Sequence, residues 1–258
     1  MIGFGRSEYR PGMGLTLTVL GCSGSYARPD DACSGYLLRS DSEDPVTIWL
    51  DAGPGTFANL QRWVGVDDVD AVIVSHAHPD HFGDLCGLAV ACCWYLHGQR
   101  VRVVTTAEVQ AAVRGLVDEA DRVFDWQIVT DGERITIGGA TVTFARTDHP
   151  PETLSMRIDA DGRSFGYSSD TGSGWSPKVL GAGLDLLLCE GTFTADQEDK
   201  GPHLSARQAA TAALEAGIPR MVLTHVPPTG DLDAQLAEAR EVLGDRVELA
   251  VCNQHYDV

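Results

Sequence analysis

Short apolar runs follow one another along the chain, too closely spaced for a bundle of long helices. Runs at 15–20, 46–51, 70–74, 101–104, 134–137, 140–146, 153–158 and 164–168 are rich in β-branched, aromatic and threonine side chains, and each predicts a strand. Between and after them, apolar positions recur at three- and four-residue intervals near 55–63, 83–97, 106–120, 204–216 and 232–243, which predicts helices. Hairpin-like strands come first and strand–helix alternation follows, so the pattern predicts an α/β chain with mixed sheets and helices outside them. No Pro/Gly/Ser-rich linker, short-period repeat or low-complexity tract divides it. We therefore expect an N-terminal extension over 1–14 and a single domain over 15–258. The longest apolar run, Leu85 to Leu96, is 12 residues, too short to span a bilayer. It predicts a buried helix, with Trp94 and Tyr95 in the core, as Trp49 is on its strand.

Charge changes this picture more than composition does. With 37 acidic residues against 19 Lys plus Arg, the formal charge is −18. Such a surface repels a polyanionic nucleic-acid backbone unless a basic patch is set apart. The seven cysteines form no CxxC pair, so neither a disulfide framework nor a zinc knuckle is indicated, and reduced thiols in the cytoplasm fit better. Residues 1–14 lack the apolar core of a signal peptide.

The chemistry is concentrated in Ser75-His76-Ala77-His78-Pro79-Asp80-His81, directly after the apolar run Ala71–Val74. Four metal-competent side chains within six residues argue for a metal centre. His76 and His78 can face one cation while Asp80 and His81 reach a second, at the roughly 3.5–4 Å separation of two-metal hydrolases. Asp51, His149, Asp170 and His225 each follow an apolar strand, where loops at strand ends converge. Singly, each reads equally well as a cap or turn residue; with the histidine cluster, that bland reading weakens.

These residues resemble the metallo-β-lactamase superfamily: HxHxDH at His76–His81, then His149, Asp170 and His225 in the same order and comparable spacing. The resemblance implies an αββα sandwich, the metallo-β-lactamase fold, with two mixed β-sheets flanked by helices. It implies that His76, His78 and His149 hold one metal, that Asp80, His81 and His225 hold the other, and that Asp170 bridges them. Asp51 matches the acidic residue that supports the histidine loop without touching metal. The ions implied are two divalent cations, Zn2+ first, with Mn2+ or Fe2+ suiting the same ligands.

Aspartate rather than cysteine at position 170 separates the chain from lactam-hydrolysing members. Gly201-Pro202-His203-Leu204-Ser205-Ala206 resembles the helix start of ribonuclease Z enzymes, which implies that His203 donates a proton to the leaving alkoxide. Leu187–Phe193 is similar to the HEATF segment of that group with cysteine in place of its histidine, and implies that Glu190 orients or protonates His203. Ribonuclease Z enzymes carry a long basic arm for tRNA between the counterparts of His149 and Asp170. Here that interval is positions 150–169, a short hairpin with Arg157 and Arg163 its only basic residues. Val19–Ser25, Cys33–Leu38 and Leu223–Pro228 resemble an actinobacterial ribonuclease Z-like subgroup that includes cyclic-nucleotide phosphodiesterases of mycobacteria. In that frame Ser23, Gly24 and Ser25 line the phosphate site, with Gly21 and Gly24 permitting close backbone approach.

The expected function is hydrolysis of small phosphodiesters such as 3′,5′-cyclic AMP, with hydroxide held between two metals and Asp80 accepting its proton. A tRNA 3′-processing endonuclease and an esterase or lactonase on the same fold are the competing readings, and a non-catalytic metal-binding module is a third. The charge and missing arm argue against tRNA, no membrane association is indicated, and a homodimer is left open. Trp175 is a candidate pocket wall, His97 a helix-end cap, and His255 a residue without a matching role.

Overall fold

The computed structural model describes residues 14–41, 43–96 and 98–258. The sequence-read extension, apart from Gly14, and His97 lie outside the described residues. The first half of the chain runs through β1 (Thr16–Gly21), β2 (Gly35–Arg39), β3 (Thr47–Leu50), α1 (Thr56–Leu60), β4 (Ala71–Val74), α2 (Pro79–Phe82), α3 (Asp84–Trp94), β5 (Val101–Thr105), α4 (Ala107–Leu116), α5 (Ala120–Val123) and β6 (Phe124–Ile128). The second half runs through β7 (Arg134–Ile137), β8 (Ala140–Arg146), β9 (Leu154–Ala160), β10 (Arg163–Tyr167), β11 (Leu186–Glu190), α6 (Ala206–Glu215), β12 (Met221–Thr224), α7 (Leu232–Leu243), β13 (Val247–Leu249) and β14 (His255–Asp257).

Among the described residues the strands form two seven-stranded sheets, ordered β14-β1-β2-β3-β4-β5-β6 and β13-β12-β11-β10-β9-β8-β7. Each sheet is mixed. β1–β3 and β7–β10 pair antiparallel, whereas β3–β6 and β10–β13 pair parallel. The inner parallel strands are covered on both faces, which is why β4 (AVIV), β11 (LLLCE) and β12 (MVLT) are buried throughout. β8 instead alternates buried and half-buried positions, as an antiparallel strand with one wet face does.

Strand alternation divides each sheet's side chains between two cores. Leu38, Ile73, Phe144, Met156 and Leu188 point into the layer between the sheets. Their neighbours Leu37, Val72 and Trp49 pack outward under α1 and α3–α5, and Leu187, Cys189 and Leu223 pack under α6 and α7. The result is a four-layer helix–sheet–sheet–helix sandwich. All seven cysteines are free thiols. Among the described residues no helix is long and apolar enough to cross a membrane.

One packing expectation is overturned. Leu85, Leu88 and Cys92 are buried, but Trp94 and Tyr95 are 64 % and 75 % exposed. They face outward at the C-terminal end of α3, while Cys93 and Leu96 on either side still pack against the core, and the Arg122 guanidinium lies 5.9 Å from the Trp94 ring. Trp49 is fully buried, stacked on Phe57.

Candidate metal centre

The strand ends place the polar residues together at one edge of the sandwich. β3 leads into Asp51, β4 into Ser75–His81, β8 into His149, β10 into Asp170, β11 ends on Glu190, and β12 leads into His225. The first sheet thus supplies the histidine loop and the second supplies His149, Asp170 and His225. Asp51 and His225 hold positive φ, 53° and 61°, as does Ser169 beside Asp170 at 55°. The chain reverses sharply there, and the side chains turn inward.

Two groups of donor atoms result. In the first, Nε2 of His76 and Nε2 of His149 lie 3.1 and 3.2 Å from Nδ1 of His78, and Asp170 Oδ2 is 3.6 and 3.8 Å from the same two Nε2 atoms. In the second, Nε2 of His225 lies 3.3 Å from both His81 Nε2 and Asp80 Oδ2. Asp170 Oδ1 is 3.3 and 3.4 Å from those two imidazoles. Asp170 faces one group with each oxygen.

The outer hydrogen bonds decide what these atoms offer. His149 Nδ1 meets the Pro202 carbonyl at 2.8 Å, an acceptor only, so Nδ1 donates. His81 Nδ1 likewise donates to Asp51 Oδ2 at 2.7 Å. His76 Nδ1 is 3.0 Å from the Ser75 hydroxyl, which itself donates to Asp51 Oδ2. A ring whose Nδ1–H is so engaged turns its Nε2 lone pair inward once that nitrogen is unprotonated. Asp170 Oδ1 is buried and accepts no hydrogen bond. Imidazole nitrogens and ionised carboxylates converging in a buried space call for a positive charge, supplied by the proton on His81 in the metal-free protein and by a metal ion in its place.

The electrostatics agree. Burial holds His76 well below the ordinary histidine range, which keeps it neutral. At His81 burial acts the same way, but Asp170, Asp51 and Asp80 outweigh it and raise its basicity well above normal. The same negative charge attracts a cation, which displaces that proton on binding. Burial raises the Asp170 and Asp80 carboxyls, yet the surrounding histidines hold both below the usual carboxylate range.

Asp51 is fully buried and is the hub beneath the loop. Its Oδ1 accepts the Ser75 amide, and its Oδ2 accepts His81 Nδ1–H, the Ser75 hydroxyl and the Tyr167 hydroxyl, the last at 2.7 Å from the opposite sheet. A second buried tyrosine, Tyr36, bonds Thr224 of the other sheet at 2.7 Å. Ser75, Tyr167 and the Pro202 carbonyl escaped sequence reading, because only tertiary contact gives them a role.

His203 stands at the open side, its ring 4.9 Å from His149 and 5.4 Å from His225 between centroids. Burial opposes a charge there, but Glu190 Oε1, 2.9 Å from Nδ1, outweighs it and pushes the pKa up to about 9. Glu190 itself is buried and reaches the site through His203. Of the expected phosphate loop, Ser23 is buried with its hydroxyl on Tyr26 O. Gly24 packs so closely on His225 that a Cβ would meet its carbonyl oxygen at 2.4 Å, and exposed Ser25 gives its amide to Asp80 Oδ2 at 2.8 Å. Trp175 is buried, its indole N–H on Ser155. His255 lies away from these groups, on Thr18 and Trp63.

Residues 47–226 match the Beta-lactamase superfamily domain. The chain belongs to that superfamily. Within it, the chain is 33 % identical over 255 residues to the uncharacterized protein Rv1339 of Mycobacterium tuberculosis, covering 95 % of this chain and 92 % of the other. It is 28 % identical over 250 residues to the probable metallo-hydrolase YhfI of Bacillus subtilis, covering 92 % and 97 %. The YhfI crystal structure matches with a TM-score of 0.84 at 27 % identity, over 95 % of this chain and 99 % of YhfI. Human short-form tRNase Z shares the fold, with a TM-score of 0.74 at 21 % identity over 94 % and 98 % of the chains. The metallo-β-lactamase architecture expected from the sequence is the one these structures share.

Proposed function

We propose that this metal-dependent hydrolase cleaves small phosphodiesters, with 3′,5′-cyclic AMP the first substrate to try. The observation that carries the reading is the His203–Glu190 pair beside the two donor groups. A pKa of about 9 keeps His203 protonated through neutral pH, with Nδ1–H on Glu190 and Nε2–H available to a departing oxygen. An alkoxide leaving group needs such an acid.

His76, His78, His149 and Asp170 Oδ2 would hold one divalent cation, and Asp80, His81, His225 and Asp170 Oδ1 the other. Zinc is the ion we assign first. Bound there, the two ions supply Lewis acidity to the phosphoryl oxygens and activate water at neutral pH. The chain's own groups do the rest. Asp80, ionised and held by the Ser25 amide, would accept the proton of the attacking water. His203 Nε2 gives a proton to the leaving oxygen, and Glu190 holds the imidazole in place.

Substrate size follows from positions 150–169. They are spent on the β9–β10 hairpin, which pairs within the second sheet from Ala160↔Arg163 to Met156↔Tyr167 and carries no arm. With a formal charge of −18, the chain offers a polynucleotide little to grip. Seven free thiols suit the cytoplasm.

The deciding experiment is a hydrolysis screen of metal-reconstituted protein on cyclic AMP, bis(p-nitrophenyl) phosphate, a lactone and precursor tRNA. Turnover of the first two is expected. Cleavage of the lactone alone would sink the phosphodiesterase reading, and cleavage of precursor tRNA at a defined 3′ position would replace it with an endonuclease.

A further inference from the structure

Glu190 uses both its oxygens, and each leads to a different part of the site. Oε1 accepts the Thr171 amide at 2.6 Å and His203 Nδ1–H at 2.9 Å. Oε2 accepts the Thr192 hydroxyl at 2.8 Å. The same hydroxyl oxygen lies 3.0 Å from Nδ1 of His225 and 3.2 Å from the His225 carbonyl. A threonine has one proton to give. The carboxylate is nearer and charged, so it takes that proton and leaves the Oγ1 lone pairs for His225 Nδ1–H. His225 is thereby fixed as the tautomer whose Nε2 lone pair faces Asp80, His81 and Asp170. The loop is itself held, since buried Gln235 of α7 donates Nε2–H to the carbonyls of Gly191 and Thr192 at 2.7 and 3.0 Å.

We infer that Thr192 is a positioning residue that ties the second donor group to Glu190, so that one carboxylate orients both the acid His203 and the ligand His225. This rests on the reading of the two groups as metal sites, and it adds a residue with no ligand or acid role of its own. Replacing the hydroxyl by a methyl leaves Glu190 Oε2 with only the Thr192 amide at 3.4 Å and removes the partner of His225 Nδ1. The imidazole then loses its outer acceptor, and nothing selects the tautomer that presents a lone pair inward. Loss of such an outer partner lowers metal affinity about 10–100-fold. The loss is confined to the Asp80/His81/His225 group, because His76 and His149 are oriented by Ser75 and Pro202 instead.

The test is calorimetric titration of metal-free Thr192→Val and Thr192→Ser with Zn2+, each first checked for folding by thermal melting. The unaltered protein should take up two equivalents. Thr192→Val should keep the first and bind the second about 10–100-fold more weakly, Thr192→Ser should restore it, and His203→Ala should retain both. Should Thr192→Val fail to fold, Thr192→Ala carries the same expectation. Wild-type affinity in the hydroxyl-free variant, equal loss at both sites, or a serine variant as weak as valine would each overturn the inference. No substrate enters the measurement, so it stands apart from the phosphodiester reading, which the hydrolysis screen decides.

Discussion

Asp51, Ser169 and His225 occupy the left-handed backbone region one or two residues past β3, β10 and β12. Such conformations cost about 1–3 kcal/mol each and persist where the surroundings over-determine them. At Asp51 and His225 the surroundings are side-chain hydrogen bonds, with His81 and with Thr192 respectively. Asp51 has three side-chain donors on Oδ2, so Asp51→Ala should release metal and leave His81, Ser75 and Tyr167 without an acceptor in a dry site. Normal metal occupancy in that variant, measured by elemental analysis, would refute the role. Tyr167→Phe removes one donor to a carboxylate and should cost about 1.5–3 kcal/mol in a denaturant melt. His203→Ala should lower turnover of an unactivated diester about 10²–10⁴-fold, with much less effect on a p-nitrophenyl ester, whose leaving group needs no proton. Full rate on the unactivated diester would exclude His203 as the acid. The inward-facing residues were legible in the sequence because histidine and aspartate at strand ends are distinctive. Of their outer partners, Asp51 and Glu190 were read from the sequence, but a threonine, a tyrosine and a proline carbonyl acquire meaning only when strands distant in sequence meet.

At the scale of elements, alternation and apolar runs located most of the framework, and the ranges 134–137, 140–146 and 232–243 coincide with β7, β8 and α7. The buried five-residue strands β2 and β11 fell outside the predicted runs, as did β6, an edge strand with one buried residue in five and so no face to read. β13 and β14 are three residues long, below any period. The end of α3 misled in the opposite sense, since an unbroken apolar run gives no sign of which of its residues turn outward. The turn after β1 is the element most exposed to a small change. Gly24 lies against the His225 backbone and Ser25 bonds Asp80. Gly24→Ala should push this turn off both and weaken the Asp80/His81/His225 group selectively; a variant binding two ions as tightly as wild type would show that the turn only borders the site.

For the whole molecule, the two sheets are largely the two halves of the chain, and the donors are divided between them. His76, His78, Asp80 and His81 come from the first sheet, whereas His149, Asp170 and His225 come from the second. A ligand that binds only the folded state stabilises it by about 2.7 kcal/mol at one hundred times its Kd, which is roughly 5–11 °C in Tm for a chain of this size. Chelation should therefore lower the melting temperature by about that much for each site saturated to that degree, while far-ultraviolet circular dichroism keeps the sandwich signature. An unchanged Tm on chelation would mean that metal does not brace the sheets. The bound charge would offset only about four of the formal negative charges, so the acidic exterior persists in the loaded protein.

The division of donors has a consequence for the growing chain. A ribosome that has released residues up to 140 has delivered the histidine loop but neither His149, Asp170 nor His225, and such a fragment has no complete donor group. Hydrolytic competence arrives only with the last third of the polypeptide. Any lesion that lets the halves slip past one another should silence the enzyme before it unfolds it, so the metal retained per molecule counts correctly assembled copies.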